Sequence, residues 1–430
     1  MAETALPANY RRNFWALVFD FGFFGIGMAF VSQSTVLPSF LTVLGASSAF
    51  IGLVSSLQNA GWLLPQLIAA RYLADKPRKK PYILWPAAVG RTLLLVMAVL
   101  IWSTHAQPTW LIMLITALAV IGFWVGDGLA SVPWFDLLSK VIPPRRRGRL
   151  TGTGQVFSGT LSFLAGGIVE WTLSEGGPSF PNNYAVLFLL GFAMMVASFI
   201  AIAMAVEAES VPARQVPSWR EFAPQLWDVL KRDRVFRRFI IARQLSGLSG
   251  LAVPFYMTFA IAELNLPAQV AGRYTSIGVV GSILAAVVFG WINEQFGSKQ
   301  VIGISLGLDL ATPAIALLVP RLFTSDGALA WGYGLVFLSL SAARSSMLPG
   351  WMTYVLEWAQ EADRPTYVGL TNTLNGVSTL FSVLGGVILQ WTGHNYSVLF
   401  ALTIAGLLLS WPFLLGLPEP RQREALSEAG

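Results

Sequence analysis

The chain has 430 residues, 55% hydrophobic and 12% charged, with no cysteine and a formal net charge of +6. Ordinary soluble domains carry roughly 25% charged residues, so this balance excludes a water-soluble globule and calls for lipid as the solvent. The missing cysteine excludes disulfides, thiolate metal sites and cysteine nucleophiles.

Crossing about 30 Å of hydrocarbon at 1.5 Å per residue takes roughly 20 apolar residues, and the sequence predicts twelve such helices. The first six run near Phe14–Pro38, Phe50–Ala70, Tyr82–Ser103, Trp110–Ser131, Leu150–Trp171 and Tyr184–Val206. The first of them follows Arg11 and Arg12, as a secretory signal would, but it outruns a signal core of about 7–15 residues and contains Asp20. It is read as a retained span. A charged break follows at 207–238, with Pro212, Pro217 and Pro224. Inside it, Ser218-Trp219-Arg220-Glu221 has capping-box spacing, and Trp219, Phe222, Leu226 and Leu230 recur at helical intervals. This predicts a short amphipathic helix on the inner membrane surface, with a disordered linker as the alternative. The second six lie near Phe239–Ala260, Val270–Ile292, Val301–Pro320, Ala328–Gly350, Thr366–Trp391 and Ser397–Gly416. The expected organisation is a six-helix bundle over 1–206, a cytoplasmic linker over 207–238, and a second bundle with a short tail over 239–430.

Lys and Arg accumulate in cytoplasmic connections. Here the amino tail, the even-numbered loops and the carboxyl tail hold nearly all of them, including Lys79, Arg145, Arg146, Lys299 and Arg421, while the odd-numbered loops hold only Arg273 and Arg321. A multi-pass cell-membrane protein with both termini in the cytoplasm is expected. Topology then accounts for the basicity, and no nucleic-acid partner is expected.

The two halves repeat. Asp75 and Glu294 are 219 residues apart (294 − 75), as are Gly166 and Gly385 (385 − 166). Pro38 and Pro254 differ by 216 (254 − 38), and Pro133 and Pro349 by the same (349 − 133). Four matches in order near one offset point to duplication of a six-helix unit.

Residues Gly290 to Gln300, GWINEQFGSKQ, resemble the G-x-L-x-D-R-x-G-R-K loop signature of the major facilitator superfamily through Gly290, Ile292, Glu294, Gln295, Gly297 and Lys299. The first copy keeps Leu73, Ala74, Asp75, Lys76, Lys79 and Lys80, with Arg71 and Arg78 at the two glycine positions. RRRGRLTG, from Arg145 to Gly152, resembles that family's loop after helix four. The chain is identified as a member on this resemblance, which covers nearly its whole length. It implies an all-α membrane fold of twelve transmembrane helices in two pseudo-symmetric six-helix bundles, working by alternating access about a midplane site lined mainly by helices one, four, seven and ten. A helix-five signature of proton-coupled drug exporters is matched only in part. Ser158, Ser162, Gly166 and Gly167 keep the small-residue register, but Phe163 stands where proline belongs, and Asp127 replaces an expected helix-four arginine as the ionisable group. Both departures weaken a drug–proton antiport reading.

An ionisable group inside hydrocarbon costs several kcal/mol unless paired or hydrated, so each is a functional candidate. Six stand within spans: Asp20, Arg91, Asp127, Arg243, Asp309 and Arg344. At the repeat offset Arg91 matches Asp309 and Asp127 matches Arg344, with the sign of charge reversed. Asp20 and Asp127 are the candidates for a coupling proton. Arg91 and Asp309 read equally as structural pairing partners. Pairing within halves, Arg91 with Asp127 and Asp309 with Arg344, is expected, and its rival is a gate between Asp127 and Arg344. Gln58, Asn59 and Asn375 are candidate substrate contacts, with Trp62, Trp124 and Trp134 as stacking surfaces. Ser246 and Ser249 read better as interhelical hydrogen-bonders. His105 and His394 are isolated in outer loops, which predicts no metal site, and no phosphate loop or catalytic triad is present.

The function expected is secondary active transport of a small organic solute, coupled to protons, by a monomer without cofactors whose partners are membrane lipids, the small-molecule substrate and protons. Two readings of other classes stand beside it: a transporter-like ligand-binding or sensor protein without net transport, and a membrane-embedded lipid-modifying enzyme. An enzyme would cluster ionisable residues at a membrane face, and outside the basic loops none cluster, so catalysis is not expected.

Overall fold

The computed structural model describes residues 9–73, 76–207, 228–360 and 363–421. Asp75 and residues 208–227 of the expected linker, which carry most of the expected amphipathic helix, lie outside the described residues; residues 228–232 are helical. The described chain is helical, with no strand. Its first half comprises α1 (Tyr10–Phe30), α2 (Val36–Val43), α3 (Ser48–Leu73), α4 (Lys80–Thr104), α5 (Thr109–Val141), α6 (Pro144–Thr172) and α7 (Asn182–Met204). The second comprises α8 (Arg234–Ser246), α9 (Phe255–Ala262), α10 (Val270–Phe296), α11 (Ser298–Leu322), α12 (Asp326–Arg344), α13 (Thr353–Trp358), α14 (Arg364–Ser378), α15 (Phe381–Trp391), α16 (Tyr396–Leu408) and α17 (Trp411–Leu415).

Among the described residues, nine helical stretches are long and apolar enough to cross a membrane. α3, α6 and α12 are long enough but more polar: α6 opens on Arg145, Arg146, Arg147 and Arg149 and continues through glycines, serines and threonines. Five of the expected spans are interrupted. The first breaks between α1 and α2, and the seventh passes through a 3₁₀ turn at Gly247–Leu251 before Pro254. The tenth passes through a π turn at Met347–Met352, and the last two break after Ser378 and Leu408. Proline removes a backbone donor and clashes with the preceding turn, and Pro254 and Pro349 sit at two of these breaks. Pro133, in contrast, lies inside an unbroken α5 that runs on to Val141.

The described residues form two compact units. One comprises Met1–Ala46, Leu57–Val216 and Ala271–Ser276, the other Ser47–Ser56, Pro217–Val270 and Ile277–Gly430. Each has a core at the helix ends that carry the basic loops, here termed the basic face. In the first unit Phe14, Leu17, Ile83, Leu137, Leu150 and Ile202 converge from α1, α4, α5, α6 and α7. In the second, Phe236, Phe239, Ile302, Tyr354, Leu370 and Leu414 do the same.

Lipid tails are as apolar as leucine, so helix association in a membrane relies on close approach at small residues. α4 and α5 illustrate this: a Cβ on Gly126 would lie 2.5 Å from the Pro86 carbonyl oxygen, and one on Gly90 would lie 3.0 Å from that of Gly122. α3 meets α5 in the same way at Gly128, where a Cβ would fall 2.6 Å from the Trp62 carbonyl oxygen. This crossing sets Trp62 beside Asp127.

Candidate functional site: a charge triad within each unit

In the first unit α1 supplies Asp20, α4 Arg91 and α5 Asp127. Asp20 is buried and both its oxygens are engaged: the Ser198 hydroxyl donates to Oδ1 at 2.6 Å, and the Trp134 indole donates to Oδ2 at 2.6 Å. Arg91, also buried, donates from Nη1 to the Met195 carbonyl at 2.8 Å and from Nη2 to Ser198 Oγ at 3.1 Å. Ser198 therefore relays Arg91 to Asp20, accepting from one and donating to the other. The Phe199 ring lies 5.8 Å from the guanidinium carbon. Asp127 accepts from the Trp62 indole, feels the Arg91 charge, and is half-buried.

In the second unit α8 supplies Arg243, α11 Asp309 and α12 Arg344. Arg243 donates to the Met347 sulfur at 3.1 Å and lies 4.6 Å over the Trp351 ring, a cation–π contact. Asp309 is half-buried in the field of both arginines, and Arg344 is exposed. The first unit thus groups two acids with one base, the second two bases with one acid. The sites match at the repeat: Arg91 with Asp309 (309 − 91 = 218) and Asp127 with Arg344 (344 − 127 = 217).

The expected partners are grouped but do not touch. Among the described residues no cation–carboxylate contact within 4.0 Å forms inside either triad. Neutral groups hold Arg91 and Arg243 instead, which leaves Asp127 and Asp309 balanced through space. Ser198 and Met195 were not foreseen, and Trp134 was weighed only as a stacking surface. The available signal was that Ser198 is the lone serine or threonine in α7.

The remaining candidates are scattered. Gln58 and Asn375 are buried, Asn59 and Trp62 exposed, and Trp124 half-buried. Gln244, next to Arg243, was not foreseen. Its Nε2 and Oε1 are both buried without a hydrogen-bond partner among the described residues. Among those residues no group of His, Asp or Glu could hold a metal ion.

A family model described as Major Facilitator Superfamily matches residues 19–280 and 239–430. The chain belongs to the major facilitator superfamily. Among curated relatives, the uncharacterized proteins Rv2209 of Mycobacterium tuberculosis and Mb2232 of Mycobacterium bovis are each 28% identical over 415 residues, covering 92% of this chain and 75% of theirs. Among solved structures, a bacterial homologue of the iron transporter ferroportin in its inward-facing state is similar at TM-score 0.70 and 15% identity, over 95% of this chain and 99% of that one. The nucleoside transporter NupG is similar at TM-score 0.68 and 15% identity, over 94% and 100%. The chain is therefore a multi-pass membrane protein with the superfamily fold in two halves and transporters as its structural neighbours.

The superfamily loop signature closes a clamp at the basic face of each unit. Helix ends leave N–H and C=O groups without partners, and the dipole favours anions at the amino end and cations at the carboxyl end. In the first unit the Glu207 carboxylate accepts from the Lys79 and Lys80 amides at the start of α4, at 2.6 and 2.8 Å. Lys80 Nζ returns to carbonyls at the end of α7, Ala203 and the capping Ala205, and Arg12 Nε donates to the Met204 carbonyl at 2.8 Å. The second unit repeats these parts. Glu419 accepts from the Lys299 amide at 3.2 Å, Lys299 Nζ reaches Leu415 at 3.5 Å, and Arg238 donates to Gly416 at 2.7 Å. Lys80 and Lys299 are 219 apart (299 − 80), and Glu207 and Glu419 are 212 apart (419 − 207). The units differ at one corner. Lys140 lies 3.3 Å from Glu207, whereas Glu357, 217 residues on (357 − 140), bonds Ser298 and Arg421 beside Glu419. Burial pushes the Glu419 carboxyl above its ordinary range, against the Lys299 amide, and the Glu357 charge adds to the rise.

Of the other signature residues, Glu294 is exposed and lends its carbonyl to Arg421 at 3.1 Å, and Lys79 folds its ammonium onto the Leu73 carbonyl. Gly297 has φ +90°, and a Cβ there would lie 2.3 Å from Glu419 Oε1, whereas Gly290 would present a Cβ to open space. Gly297→Ala is expected to cost about 1–3 kcal/mol through left-handed strain and displacement of Glu419. The check is a lowered Tm in detergent, with Gly290→Ala showing no loss.

Proposed function

We propose that the protein is a secondary active transporter that moves a small organic solute by alternating access, coupled to protons through Asp127. One observation carries this reading: Asp127 is a half-buried carboxylate beside a cation it does not touch. Arg91 is anchored on Met195 and Ser198, so Asp127 can gain or lose a proton without collapse of the triad. Arg344, exposed in the opposite-signed triad, is the cation that meets an anionic or electron-rich group of the solute. Trp62, Trp124, Gln58, Asn59, Gln244 and Asn375 are the further candidate contacts. The neighbours' names span iron and nucleosides, so their cargo does not transfer to this chain. The protein is proposed to act as a monomer without a cofactor. Proteoliposome flux under an imposed pH gradient, over anionic, neutral and cationic solutes, tests the reading. Absence of gradient-dependent uptake or release of every solute rejects it in favour of ligand binding without transport.

The basic face is proposed to be cytoplasmic in the cell membrane, on the strength of the Lys and Arg asymmetry. Because Lys79 is buried, exposed positions are the better probes. In this cysteine-free chain, Arg145→Cys should resist an impermeant thiol reagent added to intact cells, and Ser325→Cys should react. The reverse pattern inverts the orientation.

A further inference from the structure

We propose that a groove on the first unit holds an anionic phospholipid, its phosphate against Arg12, Arg78 and Lys80 and an acyl chain along Leu84, Trp85 and Phe199. The groove has a volume of about 730 Å³ and lies where the amino ends of α1 and α4 meet the end of α7. Its rim is cationic. Arg12 and Arg78 are exposed, and the Arg12 charge acts on Lys80, so two like charges sit near each other. Among the described residues the lining holds one carboxylate, Glu207, which accepts from the Lys79 and Lys80 amides, meets Lys140 and also acts on Lys80. Three cations against one carboxylate leave the described rim net positive, and a phosphate there adds the matching negative charge.

Below the rim the walls turn apolar. Trp85 is 74% exposed and begins an outward stripe on α4 that continues through Val89, Val96 and Val99. Basic residues and tryptophan at one level, with hydrocarbon-facing valines beneath, match the headgroup-to-tail order of a lipid. A soluble phosphate matches only the rim, and a neutral lipid only the walls. The proposal rests on the membrane reading of the chain and is independent of the solute and its coupling.

The test is native mass spectrometry of the full chain in mild detergent with phosphatidylglycerol, phosphatidylcholine or inorganic phosphate, alongside Tm. Phosphatidylglycerol is expected to be retained preferentially and to raise Tm. Arg12→Gln with Arg78→Gln should weaken its retention about fivefold per charge removed, about twenty-five-fold together. Arg145→Gln with Arg149→Gln, on exposed sites away from the groove, should leave it unchanged. Trp85→Ala, which keeps every charge, should also weaken retention, and it decides the matter if the double variant does not fold. Equal retention of phosphatidylcholine, equal stabilisation by inorganic phosphate, or undiminished phosphatidylglycerol binding in the groove variants overturns the proposal.

Discussion

Asp127→Asn is expected to reduce accumulation driven by a pH gradient to the level of empty liposomes while leaving counterflow exchange of the solute measurable. The amide keeps the size of the side chain and an oxygen for the Trp62 indole, so the crossing of α3 and α5 is retained and only the titrating group is lost. Asp20→Asn should behave differently. Its two oxygens accept from two donors, Ser198 and Trp134, and an amide nitrogen in place of either oxygen faces a donor with a donor. The expected loss is about 1–3 kcal/mol, seen as a lower Tm and yield rather than as uncoupling. Proton-driven flux at wild-type level in both variants would remove these carboxylates from the mechanism. Uncoupling by Asp20→Asn at unchanged Tm, with Asp127→Asn still coupled, would exchange their roles.

Removing Arg91 should have the largest effect on stability. Arg91→Leu leaves the buried Asp20 and the half-buried Asp127 without the cation whose field acts on both, a loss of about 3–5 kcal/mol for a broken buried charge set. Arg91→Lys restores the charge but not the fork that reaches Met195 and Ser198 together, so its Tm should fall between leucine and wild type. Adding Asp20→Asn to Arg91→Leu should recover part of the loss, because the second substitution removes one uncompensated carboxylate. A double variant no more stable than Arg91→Leu alone would show that Arg91 acts through packing and not through charge. Swapping the charges of Arg91 and Asp127 should not restore stability, since an aspartate at 91 cannot donate to the Met195 carbonyl.

The spans were legible in the sequence because a run of about 20 apolar residues is a length requirement that needs no partner. Their interruptions were less so. Pro133 and Pro349 occupy equivalent places in the repeat, yet α5 runs through the first and the chain forms a π turn at the second. Proline alone therefore does not decide whether a helix breaks. The six intramembrane charges were legible for the same reason as the spans, each being costly where it stands. What holds them was not: Ser198 is 107 residues from Arg91 and 178 from Asp20, and a lone serine in an apolar helix resembles ordinary helix packing. The loop signature named Gly297 and Lys299 through resemblance, but Glu419 lies 120 residues beyond Lys299 and carries no motif.

The twin clamps bear on how a doubled chain ages. Lys80 with Glu207 and Lys299 with Glu419 join the same helix ends in both units, each lysine and glutamate side chain meeting main-chain amides and carbonyls that a helix end presents whatever the neighbouring side chains are. The intramembrane charges have no such backbone template, and there the copies have drifted to opposite sign. Drift of that kind is open only to a fused gene: two identical subunits must change both sites at once, whereas a tandem chain can turn one copy acidic and the other basic while the clamps of both stay as they were.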